Sequence, residues 1–465
     1  MTARRMTTGN YVGDIIKNIN ETMKSSITCA VILLATVTAC HDEEYFNQAD
    51  YEDIVADAFP VTDIDGTHDW TTATTVTATI DLTDTYDGDA TVKIYGGAPD
   101  NADSRLYTTA LADGATTVMF SLPTDNDGTV YATATDGNDS TIMCGTFAVD
   151  GTHVDISPDE GDALTGTPDA TTDTPMEYTY CFENDFPVPG DYDFNDVVMT
   201  VSMTKSPDGT TGNSTGKDII YLTVTLRAVG ATDQMAGCIR LVGTTSSILT
   251  STYACPTEEF FLNSDIANEN YVPVNEKSNR TYASANATGE MCIVLFNDAH
   301  YAISGIDADV ENYGVRVAYN TSDDDETGDN TVEEKTNVYK ITFNSSGGYT
   351  FKYFSMEDID PFIITAYNGT YYEVHTYQYK TGEVMHYWRT GVTGDTNDYY
   401  TDNYPWALAV PGTFAYPTEG TAIGIYSGNV LSGAYQTSRH SFGEWAQDHT
   451  QAVDWYDYPN SSLTY

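Results

Sequence analysis

Thr75-Val76-Thr77-Ala78-Thr79-Ile80-Asp81-Leu82 is a short run of β-branched and apolar residues. Thr91 to Tyr95, Thr117 to Leu122, Thr129 to Ala134 and Thr146 to Val149 repeat its character. Turn-forming residues separate these runs, as in Tyr86-Asp87-Gly88-Asp89 and Asp125-Asn126-Asp127-Gly128. β-Branched side chains fit a pleated, half-buried surface, whereas Asp, Asn and Gly tolerate the backbone angles of tight turns. Short strands at this spacing predict an antiparallel β-sandwich over residues 59–156. No Cys-Trp-Cys pattern accompanies them, so the expectation is an immunoglobulin-like architecture and nothing narrower.

Working towards the C-terminus, residues 157–176 are rich in Pro, Gly, Thr and Asp with almost no large apolar side chain, as in an interdomain linker. A second body is expected over 177–465. Val197 to Met203, Ile219 to Val229, Ile293 to Phe296, Val338 to Phe343 and Tyr349 to Phe354 read as its strands, joined by polar loops such as Ser206 to Gly216 and the one holding Asp323 to Glu326. Helical periodicity is scarce; Phe442 to Ala446 is the one short helix expected. The fold class is therefore all-β, an immunoglobulin-like sandwich followed by a larger antiparallel, jelly-roll-like sandwich.

Working towards the N-terminus, residues 40–58 are acidic and lack periodicity, and read as a tether. Before them, Met23 and Lys24 open a segment whose apolar stretch, Ile27 to Ala39, falls short of the ~20 apolar residues that span a bilayer. A positive start, a short apolar region and small residues ahead of a cleavage point describe a secretory signal. Val37-Thr38-Ala39-Cys40 resembles the bacterial lipobox, in which the cysteine thiol carries diacylglycerol. Residues 1–39 are thus expected to be a leader, with translation beginning at Met1 or at Met23. Cys40 is the expected lipidation site and the protein's link to a membrane. Each buried acyl methylene adds ~0.8 kcal/mol, so several chains anchor stably. His41-Asp42-Glu43-Glu44 resembles the surface-export signal of Bacteroidetes lipoproteins, although a charged, solvated start to the tether reads equally simply.

The formal net charge is −50, from 69 acidic and 19 basic residues. Such a surface repels phosphate backbones, which argues against nucleic acid as a partner, and makes divalent cations natural stabilisers. With 40% hydrophobic residues and 35 tyrosines the chain has material for a core and is no disordered acidic tail. After Cys40 come Cys144, Cys181, Cys238, Cys255 and Cys292. Their odd number and irregular spacing suit neither a disulfide framework nor a zinc site. They read as buried small hydrophobes, with a Cys238–Cys255 bridge across a hairpin as the alternative.

The segment richest in chemistry is Phe182-Glu183-Asn184-Asp185-Phe186-Pro187-Val188-Pro189-Gly190-Asp191-Tyr192-Asp193-Phe194-Asn195-Asp196. Oxygen-bearing side chains alternate at 191, 193 and 195, which in an extended segment or tight loop sets them on one side. Calcium takes six to eight oxygens in tolerant geometry and is the ion expected; magnesium asks for a stricter octahedron. This is no EF-hand, because Asp196 stands where Gly is required and Ser202 where Glu is required. The candidate metal ligands are Asp191, Asp193, Asn195 and Asp196, with Glu183 and Asp185 as the nearest further donors. In the competing structural reading these carboxylates cap turns while Tyr192 and Phe194 pack in the core.

Gly190 to Val198, with the acidic, aromatic and proline residues before it, resembles the signature of the LruC-type domain, found in outer-membrane lipoproteins of Bacteroidetes. Asn297-Asp298-Ala299-His300-Tyr301, Asp360-Pro361-Phe362-Ile363, Glu373-Val374-His375, Tyr404-Pro405-Trp406-Ala407, Tyr416-Pro417-Thr418-Glu419, Phe442-Gly443-Glu444-Trp445 and Asp454-Trp455-Tyr456 follow in the family's order. Tyr404 and the insertion-like Ser427 to Arg439 depart from its pattern. The resemblance implies a β-rich, surface-exposed outer-membrane lipoprotein and brings no activity with it.

Catalytic patterns are weak. Gly212-Asn213-Ser214-Thr215-Gly216 matches G-x-S-x-G, but that motif works on a strand-to-helix turn, and a strand is expected after it. Glu373 and His375 share one face of a strand and, with His300, could serve a metal, though hydrogen-bonded structural histidines explain them as well. Trp388, Trp406, Trp445 and Trp455 could form a sugar platform or a core. Two readings result. The first is a non-enzymatic surface lipoprotein for adhesion, binding or assembly with a calcium-stabilised acidic loop. The second is a surface protein that binds glycans through exposed aromatics or hydrolyses them with two carboxylates.

Overall fold

Residue by residue, the chain alternates sides where the sequence alternates character. The computed structural model describes residues 61, 64–97, 104–158, 173–186, 190–207, 218–255, 290–306, 316–320, 330–331, 333–367, 370–376, 385–388, 405–427, 430–437 and 440–465. The leader, Cys40, the acidic tether, Ser214 and the Asp323 to Glu326 run lie outside them. In β1 (Ala73–Asp81) Val76, Ala78 and Ile80 point inward, while Thr75, Thr77 and Thr79 face outward. The same two-residue period builds β2 (Asp89–Tyr95), β3 (Leu106–Asp113), β4 (Ala115–Pro123), β5 (Thr129–Thr135), β6 (Thr141–Ala148) and β7 (His153–Ile156).

These strands form a 3-stranded sheet ordered β4-β1-β7 and a 4-stranded sheet ordered β3-β2-β5-β6. β1 runs antiparallel to β4, with Val76 opposite Phe120, and parallel to β7, with Ile80 opposite Ile156. Val76, Ile80 and Phe120 from one sheet share a core with Val92, Ile94, Val130 and Phe147 from the other, so the two sheets form a sandwich. β3 and β7 lie outside the expected runs. β3 buries Leu106, Thr108, Ala110 and Ala112, a mostly small-residue face with little β-branched signal, and β7 has only 4 residues.

The second set comprises β8 (Glu177–Phe182), β9 (Val197–Ser206), β10 (Asp218–Ala228), β11 (Ala236–Thr245), β12 (Leu249–Cys255) and β13 (Glu290–Phe296). After these come β14 (Lys335–Phe343), β15 (Ile359–Tyr367), β16 (Thr370–His375), β17 (Met385–Trp388) and β18 (Ala407–Pro411). A 6-stranded sheet runs β12-β14-β10-β9-β8-β18 and a 5-stranded sheet runs β13-β11-β15-β16-β17, all pairs antiparallel. Tyr180, Tyr339 and Ile341 of the first sheet and Cys238, Ile239 and Phe362 of the second are all buried. The architecture is all-β.

One expected strand is a helix. Residues 349–353 fall in α2 (Gly348–Tyr353), which follows α1 (Ala299–Ser304) in the chain and leaves Phe354 as its extended C-cap. Asn344 accepts the amide of Ser346 at 2.8 Å and caps the 3-10 turn Ser345–Gly347 that feeds α2. Phe351 is buried, while Tyr349 is 76% exposed and stacks on Tyr353. The alternating aromatics therefore mark successive faces of a helix, with period 3.6 in place of 2. The expected helix at 442 is present as α3 (Phe442–Gln447), fixed by a capping box between Ser441 and Glu444.

The described residues all belong to the compact unit Ala58–Tyr465. Within it the end of the stretch expected to be a linker is stitched to β3, where Leu106 donates to Thr174 and accepts from Met176. Residues 65–72 dock on the C-terminal segment. Asp65 donates its amide to Ala446, Thr72 donates its hydroxyl to Ala409, and His68 and Trp70 pack on Trp445. Cys238 and Cys255 stand on β11 and β12 of different sheets, so no hairpin brings them opposite one another. Among the described residues no helix is long and apolar enough to cross a membrane.

Candidate metal centre

The turn between β8 and β9 is built by two aromatic residues in left-handed conformation, Tyr192 (φ 55°) and Phe194 (φ 54°). Such a conformation costs a non-glycine residue roughly 1–2 kcal/mol. Both rings are fully buried, Tyr192 against Trp406, and Ile423 donates its amide to the Tyr192 carbonyl at 3.0 Å. With these aromatics packed inward, Asp191 and Asp193 on either side of Tyr192 share a site with Glu183.

Glu183, Asp191 and Asp193 each place a carboxylate oxygen within 4.8 Å of the others. Glu183 is 0% and Asp193 1% exposed; Asp191 lies at the surface. Glu183 Oε1 accepts the amide of Phe194 at 2.6 Å, and its Oε2 is buried without a hydrogen-bond partner. A Cβ on Gly190 would stand 2.8 Å from that Oε2 and 2.9 Å from Asp185 Oδ2, so Gly190 is small because two carboxylates close on it. Asp193 Oδ2 accepts the amide of Gly420 at 2.8 Å and its Oδ1 that of Asn195 at 3.2 Å.

Asn195 and Asp196 turn partly to backbone. Asn195 donates Nδ2 to the Pro417 carbonyl at 3.2 Å, which sets the amide's orientation and leaves Oδ1 facing Gly230 without a hydrogen-bond partner. Asp196 Oδ2 accepts the amide of Asn184 at 2.7 Å. Asp185 is exposed. Of the six expected ligands, three cluster tightly, Asp185 joins them at Gly190, and Asn195 and Asp196 brace the loop. Gly190, Gly230, Pro417 and Gly420 complete the site without any charge of their own; Gly190 and Pro417 belong to sequence motifs, whereas Gly230 and Gly420 carry no such signal.

The electrostatics are one-sided. Burial, then the charges of Asp196, Asp193 and Asp191, raises the Glu183 carboxyl well above its ordinary range. Burial, then Asp191 and Asp196, does the same to Asp193, and burial raises Asp196 against the Asn184 amide that favours its charged form. At ~5 Å and an effective dielectric of ~20, each like pair repels by about 3 kcal/mol. A hydrogen bond to a charged group returns about 1.5–3 kcal/mol, so several mutually repelling pairs outweigh the backbone amides. Such a cluster either protonates or takes a cation, and its all-oxygen donors suit a hard divalent ion.

The other candidates have partners of their own. His375 lies between Asp360 (Nδ1–Oδ2, 2.8 Å) and Glu373 (Nε2–Oε2, 3.2 Å), and Arg240 holds the same Asp360 oxygen at 3.0 Å. All four are buried, so this is an internal ion network between β11, β15 and β16. His300 bonds the carbonyl of Ala231 and sits beside Asp298. Trp406, Trp445 and Trp455 are buried and offer no surface for a sugar; the side chain of Trp388 lies outside the described residues. A cavity of about 440 Å³ opens between β3, β4 and α2, lined by Thr116, Lys205, Asp218 and Lys352, away from the acidic cluster. Buried Lys205 donates there to the carbonyls of Lys352 and Phe354.

The family described as "Domain of unknown function (DUF4842)" matches residues 219–456, more than half of the chain. The chain belongs to that family. The carboxylates of the acidic cluster precede the DUF4842 segment, whereas Gly230, Pro417 and Gly420 lie inside it. No curated protein matches the chain. A crystal structure of a Bacteroides ovatus protein, described as a "Putative lipoprotein", superposes with a TM-score of 0.43 at 14% identity, covering 80% of this chain and 98% of that one.

Proposed function

We propose that this DUF4842 protein is a non-enzymatic, lipid-anchored module of the outer-membrane surface, of the LruC type, for adhesion, binding or assembly, stiffened by calcium in the 183–196 loop. The observation that carries the calcium reading is the burial of Glu183 and Asp193 side by side, with Glu183 Oε2 lacking any hydrogen-bond partner. A divalent ion between them and Asp191 neutralises the repulsion and satisfies that oxygen in one step. Asp191, at the surface, is the side from which the ion enters. The anchoring half rests on Val37-Thr38-Ala39-Cys40 and the acidic residues behind it, with a glycan or a surface protein as the partner and nucleic acid excluded by charge.

Calorimetric titration of the purified protein with calcium tests the ion. Heat of binding, together with a melting temperature lowered by chelator, is expected; the absence of both refutes it. Fatty-acid labelling abolished in Cys40→Ala tests the anchor, and protease shaving of intact cells tests outward exposure. The glycan reading would be favoured by binding on a glycan array, and the burial of three of its four tryptophans weighs against it.

A further inference from the structure

Resting on the calcium reading, we infer that the ion also works as a clasp, controlling whether the C-terminal segment from Phe414 onward stays closed on the second sandwich and on residues 65–72. The ligand loop is hydrogen-bonded to this segment at three points. Asp193 accepts the Gly420 amide, Tyr192 accepts the Ile423 amide, and Asn195 donates to Pro417. Each of these bonds leaves a residue next to the carboxylates or a carboxylate itself. Spreading of an uncompensated cluster therefore strains all three.

The segment so held is little fastened by sheet pairing. Among the described residues, beyond β18 it contributes short two-stranded ribbons and the isolated bridge between Pro417 and Thr464. Its own core is aromatic: Phe414 stacks on Tyr435, and Trp455 packs edge-on against Tyr435 and Phe442. That core receives the chain arriving from the tether, where Trp70 stacks on Phe442 and His68 bonds the Trp445 carbonyl. Ion occupancy at 183–193 is thereby linked, through 417–423, to the hold on the stretch that leads back towards Cys40. Segments fastened by few buried backbone pairs open at a lower free energy than the global fold, so a clasp has leverage here.

Hydrogen exchange of the full chain, with calcium and with chelator, tests this. On calcium removal the amides of 417–424, 434–458 and 65–72 are expected to lose protection by about tenfold or more, while β2, β5, β10 and β14 keep theirs. Asp191→Asn, which removes the exposed donor and leaves the buried core intact, is expected to show the chelator pattern even in calcium. Calcium heat with no change at those amides overturns the clasp and leaves the calcium site standing. Loss spread evenly over all strands also overturns it, since the ion then supports the whole fold. Absence of calcium heat overturns the underlying reading and the clasp together.

Discussion

His68 donates its Nε2 proton to the carbonyl of Trp445 at 2.9 Å, 377 positions along the chain, in a buried bond. The opposite ring nitrogen, Nδ1, accepts the amide of Trp70 at 2.8 Å. One nitrogen must carry a proton and the other must not, so the fold selects the neutral imidazole. Burial lowers the pKa from 6.5 to about 4. Between these values the unfolded chain binds a proton that the native ring refuses. The contribution of His68 to stability is thus complete above pH 6.5 and lost as pH falls towards 4, by about 3 kcal/mol in all. His68→Gln should flatten that part of a plot of melting temperature against pH. Parallel wild-type and variant curves would count against the assignment.

Gly230 has no room for a methyl group. A Cβ there would lie 2.0 Å from Asn195 Oδ1 and 2.9 Å from the Asn195 carbonyl oxygen. Gly230→Ala should cost about 1–3 kcal/mol in urea denaturation, as overpacking does, and should weaken calcium binding by moving Asn195 off Pro417. A stable variant with unchanged calcium affinity would show that Asn195 does not brace the site.

Asp360 holds Arg240 and His375 on one oxygen. Its side chain is wholly buried, as is that of His375, with Arg240 at 1%. Removing one member of such a network leaves buried charge uncompensated, which typically costs about 3–5 kcal/mol. Asp360→Asn should therefore unfold at much lower denaturant, while the double variant Arg240→Met, Asp360→Leu should recover part of the loss. A single-variant cost below ~1 kcal/mol would contradict the network's role.

What the sequence made legible follows from period and charge. Val76, Ala78 and Ile80 alternate with threonines, and a one-residue slip in register would expose them; strands of that kind are readable without coordinates. Tyr349 to Tyr353 also alternates aromatics, yet is helical, and the Asn344-capped 3-10 turn that leads into it lies outside the pattern. The carboxylates at 183, 191 and 193 were readable as an acidic cluster from composition. Their positioning was not, since it depends on Gly230 and on Pro417 and Gly420, small or neutral residues, the last two brought near by the fold from more than two hundred positions away. The positive φ of Tyr192 and Phe194 was equally hidden, because aromatic residues carry no local preference for it.

Glu183→Gln separates the cation reading from the structural one, because it should change stability in opposite directions under two conditions. The amide retains an oxygen to accept the Phe194 amide, so the loop's main hydrogen bond survives, and the substitution is nearly isosteric. In chelator it removes one of the like charges that lie within 4.8 Å of one another. With each pair costing about 3 kcal/mol at an effective dielectric of ~20, the variant should then be more stable than wild type by roughly 1–3 kcal/mol after relaxation. In calcium it loses a charged ligand from the ion, so affinity should fall by about tenfold or more and the variant should melt below wild type. Thermal melts of both proteins in both buffers show the crossing directly. If Glu183 is instead a protonated structural acid, the wild type must take up a proton on folding at neutral pH and the variant need not, so the variant melts above wild type in both buffers, calcium moves neither curve, and the acidic loop holds no ion.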